Sequence, residues 1–141
     1  MSGTEAALLL DTCALIWLMT GELDHSPARP ALTAALGGGG LLVSTISAWE
    51  IGLLSRSSAR VGFQPDAKTW FTRAIARPGV RLTPITPEIA IDSSHLPGAL
   101  HGDPADRLII ATARHLGLTV VTRDHRMLEY AATGHMSAVR C

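Results

Sequence analysis

The chain has 141 residues, 47% of them hydrophobic and 17% charged, which is enough apolar material for one core of ordinary domain size. Its formal net charge of zero excludes a protein held to nucleic acid by bulk electrostatics, so any polyanion site must be local. Two cysteines, Cys13 and Cys141, make neither a disulfide framework nor a zinc spacing, and a reducing cytoplasm is the expected setting. The opening stretch MSGTEAALLLDTCALIWLM lacks a basic leader, and Glu5 and Asp11 interrupt it before the roughly 20 residues a membrane span needs, so one soluble domain over 1–141 is expected.

Ala7 to Leu10 form an unbroken apolar run ending in Asp-Thr, as a fully buried strand should, and Ala14 to Met19 suit a first helix. Ser26 and Pro27 open a second helix through Ala31 to Leu36, which Gly37 to Gly40 stop. Leu41 to Val43 give a second buried strand, and Ser47 begins an amphipathic helix through Trp49, Ile51, Leu53 and Leu54, with Glu50 in its first turn. Ser55 to Gln64 read as a polar loop, Asp66 to Arg77 as a helix ended by Pro78 and Gly79, and Arg81 to Pro84 as a short strand near the sheet edge. Thr86 and Pro87 open a helix reaching His95. Asp103, Pro104 and Asp106 start the strongest helix, Ala105 to Leu116, terminated by Gly117. Leu118 to Thr122 form a strand, followed by a short helix from His125 to Ala132 and a last strand at Ala138 to Val139. Strands alternating with helices imply a parallel sheet covered on both faces, an α/β fold.

In such a sheet, ligands bind beyond the carboxyl ends of the strands. Asp11 and Asp124 directly follow buried strands, while Glu50 and Asp106 lie near the starts of helices on that same side, so all four can meet. Two carboxylates about 4 Å apart repel by about 4 kcal/mol at an effective dielectric near 20, equivalent to roughly three pKa units. Protons or a divalent cation must relieve that repulsion. Oxygen ligands without His or Cys favour magnesium or manganese over zinc, and one or two such ions suit phosphodiester hydrolysis by an activated water.

The ordered motifs LLLDTCALIWL, STISAWEIGLL, DPADRLIIATA and GLTVVTRD resemble the bacterial PIN-domain ribonucleases of the VapC toxin type, and the resemblance spans nearly the whole chain. It implies a PIN-like three-layer sandwich and a Mg- or Mn-dependent endoribonuclease. It also implies a homodimer acting as the toxin of a toxin-antitoxin pair, with RNA as substrate and a VapB-like antitoxin as partner. By motif, Asp11, Glu50, Asp106 and Asp124 would be the acidic quartet, with Thr122 supporting Asp124. The third motif of the family commonly reads RDPFDR; here Gly102 and Ala105 replace the Arg and the aromatic without removing an acid.

Each assignment has a plainer rival. Asp103 is better placed as a helix cap than as a ligand, Asp106 and Glu50 could complement helix dipoles, and Ser47 with Glu50 fits a capping box. Asp124 could cap the helix that follows it. Thr12 and Thr122 could orient carboxylates or merely satisfy turns. Arg107, Arg123 and Arg126 could reach RNA phosphates or form ordinary ion pairs. Trp17, Trp49, Trp70 and Phe71 are expected in core or subunit contacts, and the histidines, including His101 and His125, at the surface. A phosphorelay receiver would need a late strand-end Lys, but the only lysine is Lys68, inside a helix. A dinucleotide site would need its glycines after the first strand, not before the second. A PIN-like RNA-processing nuclease without an antitoxin, and a non-catalytic binding or regulatory module on the same fold, remain as alternatives.

Overall fold

The computed structural model describes residues 7–57, 62–100 and 102–141. Five strands form one parallel sheet: β1 (Ala7–Leu10), β2 (Gly40–Ser44), β3 (Val80–Thr83), β4 (Thr119–Thr122) and β5 (Ser137–Arg140), in the spatial order β3-β2-β1-β4-β5. Parallel neighbours require crossovers that put helices on the faces, and the strand sequences are accordingly apolar on both sides. Leu8, Leu10, Leu41, Val43 and Val121 face one core with α1 (Thr12–Thr20), α2 (Arg29–Leu36) and α4 (Ala67–Ile75). Leu9 and Val120, one step out of phase, face the other core with α6 (Pro104–Leu116) and α7 (His125–Ala132). The result is the three-layer arrangement of helices, sheet and helices that the alternation of elements implies.

The chain builds β2 and β3 to one side of β1, then returns to add β4 and β5 on the other. The β1/β4 boundary is thus the switch point, where the connections leave in opposite directions and open a crevice at the carboxyl ends. Four helices begin on that side: α1, α3 (Thr45–Ser55), α6 and α7. Each has a side-chain cap. Asp11, Ser44, Asp103 and Asp124 accept from the backbone N–H of Ala14, Ile46, Asp106 and Met127 in turn, which fixes where each helix starts and which way its first residues point. The remaining helix, α5 (Pro87–Asp92), packs against α6.

Several boundaries differ from the sequence reading. The cap of α3 is the buried Ser44, so the helix starts at Thr45, and Glu50 belongs to the second turn rather than the first. Helix α2 starts at Arg29 with Pro30, not Pro27, in its first turn; Ser26 Oγ instead accepts from the Ala28 N–H at 3.0 Å. A 3-10 segment, Glu22–His25, was not anticipated. Gly40 belongs to β2 rather than to a loop, with φ 94°, and a Cβ there would stand 2.9 Å from the Gly79 carbonyl of the adjoining turn. Ser55 closes α3, and part of the expected 55–64 loop lies outside the described residues, as does His101. No helix among the described residues is long and apolar enough to cross a membrane.

Candidate active site

Asp11 leaves the end of β1 and is only 7% exposed. One carboxylate oxygen accepts from the Ala14 N–H at 2.7 Å and the other from the Thr122 hydroxyl at 2.6 Å. Thr122, fully buried at the end of β4, accepts in turn from the backbone N–H of Asp124 at 2.9 Å. A single hydroxyl therefore ties together the two strand ends that carry acids. Burial nevertheless pushes the Asp11 carboxyl above its ordinary pKa, with the Thr122 and Ala14 donors opposing and the Asp124 charge adding to the rise.

Glu50 reaches the same place from α3. It accepts a short hydrogen bond from the Thr12 hydroxyl, and Thr12 Oγ1 also lies 2.9 Å from the hydroxyl of the buried Ser47. A hydroxyl has one proton to give, so the direction of the chain is fixed: Ser47 donates to Thr12, and Thr12 to Glu50. Burial raises the Glu50 pKa, Thr12 opposes, and the charges of Asp103 and Asp11 add to the rise. The capping-box reading of Ser47 and Glu50 gives way to this relay. Ser47 itself escaped the sequence reading as a site residue, although its spacing of three from Glu50 was a signal that both occupy one helix face.

Asp106 sits in the first turn of α6, its N–H bonded to the Asp103 carboxylate at 2.9 Å. Asp103 is exposed and caps the helix, as expected. The Asp106 carboxyl is pushed up to about 7, first by burial and then by the charges of Asp103, Asp124, Glu50 and Asp11. Half-buried Asp124 caps α7 through Met127 N–H at 3.0 Å, leaving its second oxygen for other partners. The cap does not preclude a ligand role there, because a carboxylate has two oxygens.

The four acids line one cavity of about 270 Å³, together with Thr12, Cys13, Trp17 and Arg123. Cys13 was not singled out by the sequence reading; burial and the surrounding acids raise its thiol to about 11, so it is a neutral wall of the cavity rather than a nucleophile. Arg123 is held by three contacts: Nε to the Cys141 carbonyl at 2.9 Å, Nη1 to Glu22 at 2.9 Å, and the face of Trp17 at 3.9 Å. Arg107 does not line the cavity; it donates to the carbonyls of Ser93 and Leu100, both at 2.9 Å, and braces the segment that leads into α6. Arg126 is exposed in the first turn of α7. Trp70 and Phe71 pack against the first core, whereas Trp49 is 55% exposed. A larger concavity of about 770 Å³ lies at the amino ends of β4 and β5 and contains none of the four acids.

The donor set tests what the cavity could hold. Four carboxylates with no imidazole or thiolate ligand fit a hard, oxygen-preferring divalent cation. Burial first, and then the charges of the neighbouring acids, raise the pKa values of Asp11, Glu50 and Asp106, and a bound dication would oppose both effects.

The PIN domain family model matches residues 8–133. The chain is 37% identical over 87 residues to ribonuclease VapC22 of Mycobacterium tuberculosis, a match covering 62% of this chain and 65% of that relative. Its fold is similar to that in VapBC2 from Rickettsia felis bound to a promoter DNA fragment, with TM-score 0.70 and 13% identity, covering 95% of this chain and 98% of that one. Similar too is DNA-bound VapBC from Salmonella typhimurium, with TM-score 0.64 and 16% identity over 96% and 98% of the two chains. With the family model spanning most of the sheet and all four acids, the chain belongs to the PIN domain family.

Proposed function

We propose that this protein is a divalent-cation-dependent endoribonuclease and the toxin of a toxin-antitoxin pair. The observation that carries the reading is the meeting of Asp11, Glu50, Asp106 and Asp124 in one cavity at the switch point of the sheet. Likeness to a protein named ribonuclease VapC22 supports RNA as the substrate. The four carboxylates would hold Mg2+ or Mn2+, as one or two ions. When bound, such an ion neutralises the cluster, stabilises charge developing on a phosphate and favours ionisation of water.

The chain's own groups prepare that chemistry. Thr122 and the Ala14 N–H hold Asp11 in a single orientation, and the Ser47–Thr12 relay holds Glu50. Glu50 and Asp124 are the candidates to take a proton from the water attacking phosphorus in line; burial raises the Glu50 pKa, which strengthens it as a base. Arg123, pinned by Cys141, Glu22 and Trp17, presents a fixed positive edge to an incoming phosphate.

A homodimer and a VapB-like antitoxin complete the proposal. Trp49 and Leu53, four residues apart on α3, are 55% and 42% exposed, an apolar strip suited to another helix or subunit. The test is cleavage of single-stranded or looped RNA by purified protein with magnesium or manganese and with chelator, beside Asp11→Asn and Asp106→Asn. Retained cleavage in Asp11→Asn, after contaminating nuclease is excluded, overturns the nuclease. Growth arrest that co-expression of the adjacent small gene does not relieve removes the antitoxin and leaves a PIN-like nuclease acting without one.

A further inference from the structure

Away from the acidic cavity, on the outer surface where α5 meets the end of α6, Glu88, Asp92 and His115 bring one ligand atom each within 4.8 Å of one another. Among the described residues this is the only trio of His, Cys, Asp or Glu that does so; no three of the four acids in the cavity come as close. Glu88 and Asp92 are four apart and share one face of α5, and His115 faces them from the last turn of α6. His115 Nδ1 lies 3.7 Å from Glu88 Oε1, too far for a hydrogen bond. Two ligands of one tetrahedral ion, each at about 2.0–2.1 Å, stand roughly 3.4 Å apart, so the Glu88–His115 pair is already close to ligand spacing and the trio closes by side-chain rotation at the surface.

The surroundings suit a cation. Asp92 is the last residue of α5, where its charge meets the negative end of its own helix, and His115 stands in the last turn of α6. A cavity of about 270 Å³ adjoins the trio, lined in part by Asp92, His95 and His115 and leaving room for water in the remaining coordination positions. Arg114, which borders this cavity, donates to the His135 carbonyl. Mixed carboxylate and imidazole ligation selects differently from the all-oxygen cavity and suits zinc or a similar transition metal.

We infer that Glu88, Asp92 and His115 form a second metal site, specific for a transition-metal dication such as zinc, that clamps α5 to α6. This inference is independent of the nuclease reading. The test is a titration of the full-length chain with zinc chloride by calorimetry, read alongside the side-chain nitrogens of histidine by NMR. The expected result is a zinc equivalent that persists in the Asp11→Asn, Asp106→Asn double variant and shifts the His115 imidazole. His115→Ala and, separately, Glu88→Gln weaken that equivalent at least about tenfold, or about 1.4 kcal/mol. Both residues are exposed, so neither variant threatens the fold. Zinc binding unchanged in His115→Ala, or zinc uptake lost with the cavity acids while His115 stays unperturbed, overturns the site.

Discussion

The hydroxyl of Thr122, at the end of β4, donates to Oδ2 of Asp11, at the end of the neighbouring β1, across 2.6 Å. The hydroxyl oxygen of Thr122 in turn accepts from the Asp124 N–H, so Thr122 sets the distance and orientation between two of the four acids. Replacing it with Val keeps the shape and removes both bonds. Thr122→Val should lose about 1–3 kcal/mol of stability, since a buried carboxylate oxygen and an N–H are left without partners. Magnesium affinity should fall about 10–100-fold, as when a group that orients a metal ligand is removed. Thr122→Ser should retain most of both, and unaltered magnesium affinity in Thr122→Val would show that Asp11 is oriented by Ala14 alone.

The relay through Ser47 and Thr12 makes a graded prediction. Thr12→Val removes the hydrogen bond that Glu50 accepts, so burial acts unopposed and the Glu50 pKa rises further. Cleavage at neutral pH should drop about 10–100-fold and recover in part as pH is raised. Ser47→Ala acts one step back and should cost less, because Thr12 can still donate to Glu50. A pH profile for Thr12→Val that matches wild type would separate Glu50 from proton transfer.

How much of this was legible follows from which forces set each feature. The runs ALLL and TVVT are apolar on both faces, so a parallel sheet with Asp11 and Asp124 at its carboxyl end could be read from periodicity and turn position. Asp103 was readable as a cap because capping is local. The start of α3 was not: Ser44 and Ser47 are both good caps, and the choice depends on how far β2 pairs with β3, where Ser44 lies opposite Thr83. The role of Arg107 was likewise hidden, since nothing near it in the sequence indicates that Ser93 and Leu100 offer their carbonyls. Contacts between separate elements and loops place these groups, and the periodicity of a single element carries no record of them.

The charge cluster predicts opposite pH trends for stability and for ion binding. Asp106 has a folded pKa of about 7 against an ordinary 3.8, so between those values the native state binds more protons than the unfolded state. Stability of the metal-free protein should therefore fall as pH rises through that window, by on the order of 1 kcal/mol from Asp106 after solvent screening. Asp11 and Glu50, also raised, act in the same direction. Asp106→Asn should flatten the trend and be the more stable protein at pH 8 in chelator. Magnesium should bind more tightly as pH rises and release protons near pH 7, measurable as buffer-dependent heats. A metal-free melting temperature that climbs steadily from pH 5 to pH 8 would contradict the cluster.

Arg107 and Arg123, near neighbours of the acids in sequence, should respond differently to removal because one faces backbone and the other faces the cavity. In an Asp11→Asn background that binds RNA without cutting it, Arg123→Ala should lower the slope of log affinity against log salt by about 0.7, the contribution of one phosphate on a single strand. Arg107→Ala should leave that slope unchanged. Its loss frees the carbonyls of Ser93 and Leu100 and loosens the segment leading to Asp103 and Asp106, so stability should fall by about 1–3 kcal/mol and magnesium affinity with it. Arg107→Lys should rescue little, because an ammonium lacks the planar fork that serves two carbonyls at once. A salt slope reduced by Arg107→Ala and not by Arg123→Ala would reverse the two roles.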